Sequence, residues 1–317
     1  MSQRATGVAV HGTDHAHVVE LTQQLVEAGA TVRSIVATDA GIGPWLASQY
    51  PDARADDPYA DDIDVVVCAA IPSDRADIAI AAMRAGKDVV LDKPGITSRE
   101  QLEAVRAAQA ETGRRWLVVF GERLGVPAMI RADAIVRSGR IGTVLHTVGL
   151  GPHTLNLKHR PEWFMDPARY GGILMDIGSH QVDQFLSFMG ADNAEVIAAS
   201  VHGHDERPGC QVLGEALLRT PDGRSGYTRV DYFTPKGLGA WGDVRFTAVG
   251  TKGTVEVRSV DDDERVVDAE QREVVDCSDQ QIEWADKFVR GEMPITQEHV
   301  YAVHDICLRA QALASDG

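Results

Sequence analysis

Apolar residues recur along this chain in two rhythms. In the first third, short strand-like runs alternate with stretches of helical period. Residues 7–11 form an apolar run closed by Gly12. Residues 13–28 follow, with Val18, Leu21, Leu25 and Ala28 on one helical face and Gly29 as the stop. A second strand over 32–37 leads to Thr38 and Asp39. Residues 65–71 are almost continuously apolar, the pattern of a parallel strand covered on both faces. The spacing then predicts a helix over 74–85, with Ser73 as N-cap and Gly86 beyond its end. A fourth strand over 88–91 runs into Asp92-Lys93-Pro94. Thr97-Ser-Arg-Glu100 reads as a capping box opening a helix to about Glu111, and 116–120 is a fifth strand. Repeated βα units joined by short links imply a parallel, doubly wound sheet.

The rhythm changes after Gly121. A helix over 127–138 has Pro127 in its first turn and Gly139 past its end. A strand over 143–150 precedes a long loop rich in Pro, His, Arg and Trp, and a helix runs from Gly171-Gly172 to about Met189. Strands are then expected over 194–201, 212–220, 226–233, 244–249 and 254–259, with Pro221-Asp222-Gly223 as a hairpin turn. Strands without intervening helices suggest a mostly antiparallel sheet. The charged stretch 261–273 reads as a solvated loop or edge hairpin. Helical pattern returns over 278–290 and 297–314. The expected class is α/β, with a dinucleotide-type domain over 1–122 and an α+β domain over 123–317, whose last helices have the option of packing back on the first.

At 317 residues the chain is long enough for two such domains. Hydrophobic residues at 44% and charged residues at 25% match an ordinary globular protein. With 47 acidic against 31 basic side chains, the net charge of −16 disfavours nucleic acid and anionic membranes as partners. No apolar run is long enough to span a bilayer, and the first residues lead straight into a strand without a leader-like apolar stretch. Cys68, Cys210, Cys277 and Cys307 form no CxxC pair, so a reduced, cytoplasmic protein is expected.

Candidate chemistry gathers at two places. The first strand-turn-helix is where a dinucleotide fold exposes helix N–H groups to a pyrophosphate. Its usual G-x-G-x-x-G reads here Gly12-Thr13-Asp14-His15-Ala16-His17, so only the first glycine remains. Asp39 ends the second strand, where a carboxylate accepts hydrogen bonds from ribose hydroxyls, although an ordinary loop aspartate would read the same. With no Lys or Arg close behind it, Asp39 favours NAD, with NADP possible. His11, His15 and His17 straddle the turn without an evident further ligand, so no metal is expected, and His15 is placed as lining the cofactor turn. Ala70, Ile71 and Pro72 end the third strand, and Lys93 follows the fourth, at the carboxyl ends where ligands gather. The other place is residues 171–183. On a helix, Asp176 and His180 are i,i+4 neighbours and Asp183 continues the stripe, giving a candidate base with an orienting carboxylate. A polar helix face with a hydrogen-bonded histidine is the bland alternative.

These segments together resemble the Gfo/Idh/MocA family, the glucose-fructose oxidoreductase and inositol dehydrogenase group. Ala85-Gly-Lys-Asp-Val-Val-Leu-Asp-Lys-Pro94 is similar to the family's AGKHVxxEKP segment, with Asp92 in place of Glu. Arg160-Pro-Glu-Trp-Phe-Met-Asp-Pro167 and the 171–183 run match its GG…D.G.H..D signature, and Gly250-Thr-Lys-Gly253 its late hairpin. The glycine fingerprint departs from the family, as does Arg75, which stands where a histidine is frequent. The resemblance implies a Rossmann-like first domain binding NAD(P), and a second domain with a large, mostly antiparallel sheet that binds a carbohydrate-like substrate. It implies Lys93, Asp176 and His180 as the catalytic set. Gly12, Thr13, Asp14, His15, Asp39, Ala70, Ile71, Pro72 and Asp92 become cofactor contacts. Glu122, Arg123, His153 and Trp163 become substrate contacts, and the protein a homodimer or homotetramer. The implied reaction is hydride transfer between a nicotinamide and a secondary hydroxyl or ketone. A non-catalytic sugar sensor on the same fold and a nicotinamide-using glycosidase are the alternatives.

Overall fold

Runs of β-branched residues build the first sheet. The computed structural model describes residues 4–315 apart from 262, 269, 278 and 279. β1 (Gly7–His11), α1 (His17–Glu27), β2 (Thr31–Val36), α2 (Ile42–Gln49), β3 (Val65–Cys68), α3 (Arg75–Arg84), β4 (Asp88–Asp92), α4 (Arg99–Thr112) and β5 (Trp116–Val119) succeed one another along the chain. The strands pair in parallel in the order β2-β1-β3-β4-β5. Every residue of β3 and β5 is buried, as a strand with both faces covered requires. The order reverses at β1, whose neighbours are β2 and β3, and such a switch opens a crevice at the strands' carboxyl ends.

Several local expectations need correction. α1 begins at His17 rather than residue 13, because residues 12–16 are drawn into bonds with the neighbouring strand ends. α2 is an element the apolar pattern does not reveal. Ser73 does not cap α3: its hydroxyl donates to Asp74, and Pro72–Asp74 forms a 3-10 turn leading into the helix. The capping box of α4 lies one residue later than expected. Ser98 accepts from the Gln101 N–H at 3.2 Å, and the Gln101 side chain reaches back to accept from the Thr97 N–H at 2.8 Å.

The second unit opens with α5 (Gly121–Leu124) and α6 (Pro127–Arg137), followed by β6 (Val144–Pro152), α7 (Pro167–Tyr170), α8 (Ile173–Asp176) and α9 (Gly178–Met189). Then come β7 (Glu195–His204), β8 (Arg207–Arg219), β9 (Ser225–Asp231), β10 (Arg245–Gly250), β11 (Gly253–Arg258), β12 (Asp263–Asp268) and β13 (Arg272–Asp276). These strands form an eight-stranded sheet ordered β13-β12-β11-β10-β6-β9-β8-β7. β6 and β9 pair in parallel and the other neighbours antiparallel. The charged stretch is thus an edge hairpin, β12-β13, and 221–223 turns β8 into β9. The helix expected from 171 to 189 is broken at Ile177 into α8 and α9. α9 lies against β6 and β9. The close approach depends on Gly226, where a Cβ would strike the Phe185 ring.

The chain ends with α10 (Trp284–Val289) and α11 (Gln297–Ser315). Ser278, where the sequence pattern places the start of the first of these helices, lies outside the described residues. The chain separates into two compact units. One holds the described residues up to Val119 together with Glu283–Val300. The other holds Phe120–Ile282 and the residues from Tyr301 onward. The boundary after Val119 lies close to the one read from sequence, but the first unit also takes back a late segment. The Trp284 indole donates to Gln24. Arg115 donates to the Phe288 carbonyl at 2.7 Å and lies 4.0 Å over its ring. The Gln297 side chain accepts from the Trp116 N–H at 3.1 Å and donates to its carbonyl at 2.9 Å, pairing with the outer strand β5 as a neighbouring strand would. All four cysteines are buried and none is in a disulfide among the described residues. Among the described residues no helix is long and apolar enough to cross a membrane.

Candidate active site

At the carboxyl ends of β1 and β2, two turns interlock. Gly12 has φ +101°, and a Cβ there would lie 2.6 Å from that of Ala70, so only glycine carries the chain past the end of β3. The Thr13 N–H donates to the Thr38 hydroxyl at 2.8 Å, and the Thr38 hydroxyl donates to Asp14. Asp14 therefore faces the end of β2 and does not cap α1, whose N-cap residue Ala16 makes no side-chain capping bond. The Thr13 hydroxyl donates to Asp39. Asp39 also accepts from the N–H groups of Gly41 at 2.7 Å, Ile42 at 2.6 Å and Gly43 at 2.8 Å. Burial works against ionisation of Asp39, but the Thr13 and backbone donors outweigh it and hold the carboxyl below its ordinary range. Asp39 thus opens α2, a role beside the ribose-binding one expected of it.

The end of β4 carries a second network. Asp92 is 2% exposed. Its carboxylate lies 3.0 Å from His15 Nδ1, 2.9 Å from His17 Nδ1 and 3.0 Å from an Arg75 nitrogen. The rest of the Arg75 guanidinium donates to the carbonyls of Ala70, Asp92 and Pro94. Arg75 is therefore a buried clamp tying the end of β3 to the Asp92-Lys93-Pro94 turn. Asp92, expected to contact the cofactor, is engaged by three side chains of its own chain. Burial and His17 lower His15 to about 4 against the pull of Asp92. Lys93 is buried at 5% exposure, and Pro72 is buried beside the half-buried Ile71.

In the second unit, the break at Ile177 sets Asp176 at the end of α8 and His180 in the first turn of α9, where it is 4% exposed. Asp176 accepts from the Tyr232 hydroxyl at 2.9 Å. Burial and the Asp176 charge push the Tyr232 phenol well above its ordinary value, so it stays a donor. Tyr232 edges onto Phe164 at 5.8 Å, and Phe164 stacks on Tyr170 at 4.9 Å. The Arg160 guanidinium lies 4.2 Å over Phe164 and 5.2 Å from the Tyr232 ring. Sequence reasoning missed Tyr232, which meets Asp176 only through folding, and gave Arg160 no role of its own beside these rings. Trp163 is buried against Phe164, a packing role. His153 bridges to Gly242, and its ring contacts the Gly151 carbonyl at 3.2 Å.

Two of the expected substrate contacts turn inward. Arg123 forks onto Asp183 with two bonds of 2.7 Å, both side chains buried. Asp183 therefore leaves the Asp176–His180 stripe and fastens α9 to α5. Glu122 is also buried and accepts from Gln181 at 2.6 Å and Gln184 at 2.8 Å. These partners help α9 bury a polar sequence: Gln181, Asp183 and Gln184 each bond to α5.

Residues 1–120 match the model of the oxidoreductase family with an NAD-binding Rossmann fold, and residues 129–256 match the GFO/IDH/MocA C-terminal domain. The 1,5-anhydro-D-fructose reductase of Ensifer adhaerens is 30% identical over 269 residues, covering 81% of this chain and 70% of that protein. Inositol 2-dehydrogenase 2 of Saccharopolyspora erythraea is 28% identical over 258 residues, 78% of this chain and 70% of that protein. A crystal structure from Erwinia carotovora atroseptica superposes with a TM-score of 0.93 at 34% identity, covering 98% of this chain and 99% of that one. With parallel-sheet and antiparallel-sheet units each matched by its own model, and a relative at 30% identity over most of its length, the chain belongs to the GFO/IDH/MocA family of NAD-binding oxidoreductases.

Proposed function

We propose that this protein transfers a hydride between NAD and the secondary hydroxyl or ketone carbon of a sugar, cyclitol or related small polyol. The reading is carried by one arrangement: a carboxylate, Asp176, held by a buried tyrosine, one turn before the buried His180. The substrate class comes from the relatives' names, an inositol dehydrogenase and an anhydrofructose reductase. The first unit's residues fit a dinucleotide. Gly12 keeps the turn after β1 free of a side chain, the start of α1 has no side-chain cap, and Asp39 sets an anion at the end of β2. That anion repels a 2′-phosphate and favours NAD over NADP.

When bound, the nicotinamide supplies hydride acceptance, so this chain's own residues need only manage the proton and the charge. Neutral His180 takes the proton from the substrate hydroxyl and returns it in the reverse direction. Lys93 donates to the same oxygen and stabilises the negative charge developing there, an effect strengthened by its burial. Asp176, fixed by Tyr232, orients the hydroxyl or the imidazole.

The test begins with a panel of polyols and cyclitols assayed for NADH formation. On the best substrate, His180→Ala and Lys93→Ala are expected to leave NAD affinity intact and to lower turnover by ~10²–10⁴-fold. His180→Ala should recover in part at high pH, where the alcohol needs less help losing its proton. Parental turnover of His180→Ala across the pH range overturns this mechanism.

A further inference from the structure

The turn after β1 holds two histidines, His17 standing where the dinucleotide fingerprint has its last glycine, and both rings converge on one buried carboxylate. His15 Nδ1 is 3.0 Å from Asp92 Oδ2, and His17 Nδ1 is 2.9 Å from Asp92 Oδ1. The two rings stand edge to face with centroids 4.4 Å apart. One ligand atom from each of the three residues lies within 4.8 Å of the others. Two donors each ~2.1 Å from a shared ion lie roughly 3.0–3.4 Å apart, so the two histidine–carboxylate separations are close to those of a coordination sphere.

Hydrogen bonding alone accounts for half of this cluster. His17 Nδ1 makes a well-formed bond to Asp92. His15 Nδ1 is buried and equally near, but is not well aligned for a hydrogen bond to the same carboxylate. A buried ring nitrogen without a well-formed bond is costly unless something else fills the position. Arg75 does not fill it, because its nitrogens are placed on Asp92 and three carbonyls. It acts instead as the outer partner that fixes a ligating carboxylate. The side chains of His15 and His17 are 23% and 44% exposed, so the cluster is reachable from solvent.

We propose that His15, His17 and Asp92 form a binding site for a divalent first-row transition cation, with its remaining positions left to water or an anion. Two imidazoles and one carboxylate suit zinc, cobalt or nickel, whereas magnesium and calcium favour sites built from oxygen. Its test needs no turnover and does not depend on the hydride-transfer reading.

The experiment titrates Zn²⁺, and in parallel Mg²⁺, into the full chain, freed of any affinity tag and stripped by chelator, with calorimetric detection. One equivalent of Zn²⁺ and no heat from Mg²⁺ are expected. His17→Ala, at a half-exposed position, should weaken Zn²⁺ by at least about tenfold, while its metal-free melting curve reports that it folds. Co²⁺ should give visible absorption bands in the parent that are lost in His17→Ala. A control replaces His202 and His204, which lie two apart on β7 and offer a surface zinc site; this variant should keep the full equivalent. Absence of Zn²⁺ binding at 100-fold excess overturns the proposal. So does unchanged affinity in His17→Ala, or loss of the equivalent in the His202/His204 variant.

Discussion

Asp39 spends its carboxylate on the Thr13 hydroxyl and three backbone N–H groups. Its ionised form is favoured in the folded protein, so its contribution to stability is present above the unfolded value of about 3.9 and is lost as pH falls through the lower folded value. Asp39→Asn should therefore lose less stability than the parent on acidification below about pH 4, measured by denaturant melts at stepped pH. If Asp39 faces the ribose as proposed, the same change should shift binding in a titration towards NADP relative to NAD. Tyr232 acts through Asp176. Tyr232→Phe removes a donor that favours the ionised carboxylate. Turnover should fall with NAD affinity intact; unchanged turnover assigns Tyr232 to packing alone. Neither Tyr232 nor the Asp92 cluster leaves a local trace in the sequence. His17 and Asp92 are joined by the parallel pairing of β1, β3 and β4, and no periodicity records which side chains end up across a sheet.

At the scale of elements, the strands were legible because their runs of valine and isoleucine are short, dense and bounded by glycine. α2 was not, because Gly43 and Pro44 read as breakers. Both belong to its first turn, where proline is tolerated and where Gly43 avoids Ala37 and the Thr13 hydroxyl. The break at Ile177 was also hidden, since α8 and α9 share one helical rhythm. What holds α9 in place is the Arg123–Asp183 pair. Asp183→Ala should destabilise the protein by about 3–5 kcal/mol in urea unfolding, because it strands a buried guanidinium. Replacing both partners, as Arg123→Met with Asp183→Leu, should cost much less than either single change. Equal costs for single and double variants contradict that assignment.

For the whole molecule, the net charge of −16 opposes adventitious association, yet the large sheet's strands carry exposed apolar side chains, among them Leu145, Val249, Val267 and Val274. We expect a homodimer or homotetramer, read as mass by light scattering. Because all four thiols are buried and none is in a disulfide among the described residues, that mass should not respond to reductant. A monomer, or a reductant-dependent mass, contradicts the expectation. The late return of the chain to the first unit has a consequence for biosynthesis. A ribosome releases β1 to β5 early, then the entire eight-stranded sheet, and only near the end Trp284, Phe288 and Gln297. Until then the outer edge of β5 lacks the glutamine that pairs with it and Arg115 lacks the Phe288 carbonyl. The part translated first is thus among the last to be finished. A premature stop just after β13 would spare every strand of both sheets, yet injure the unit built around β1 to β5, placing the lesion far downstream of its symptom.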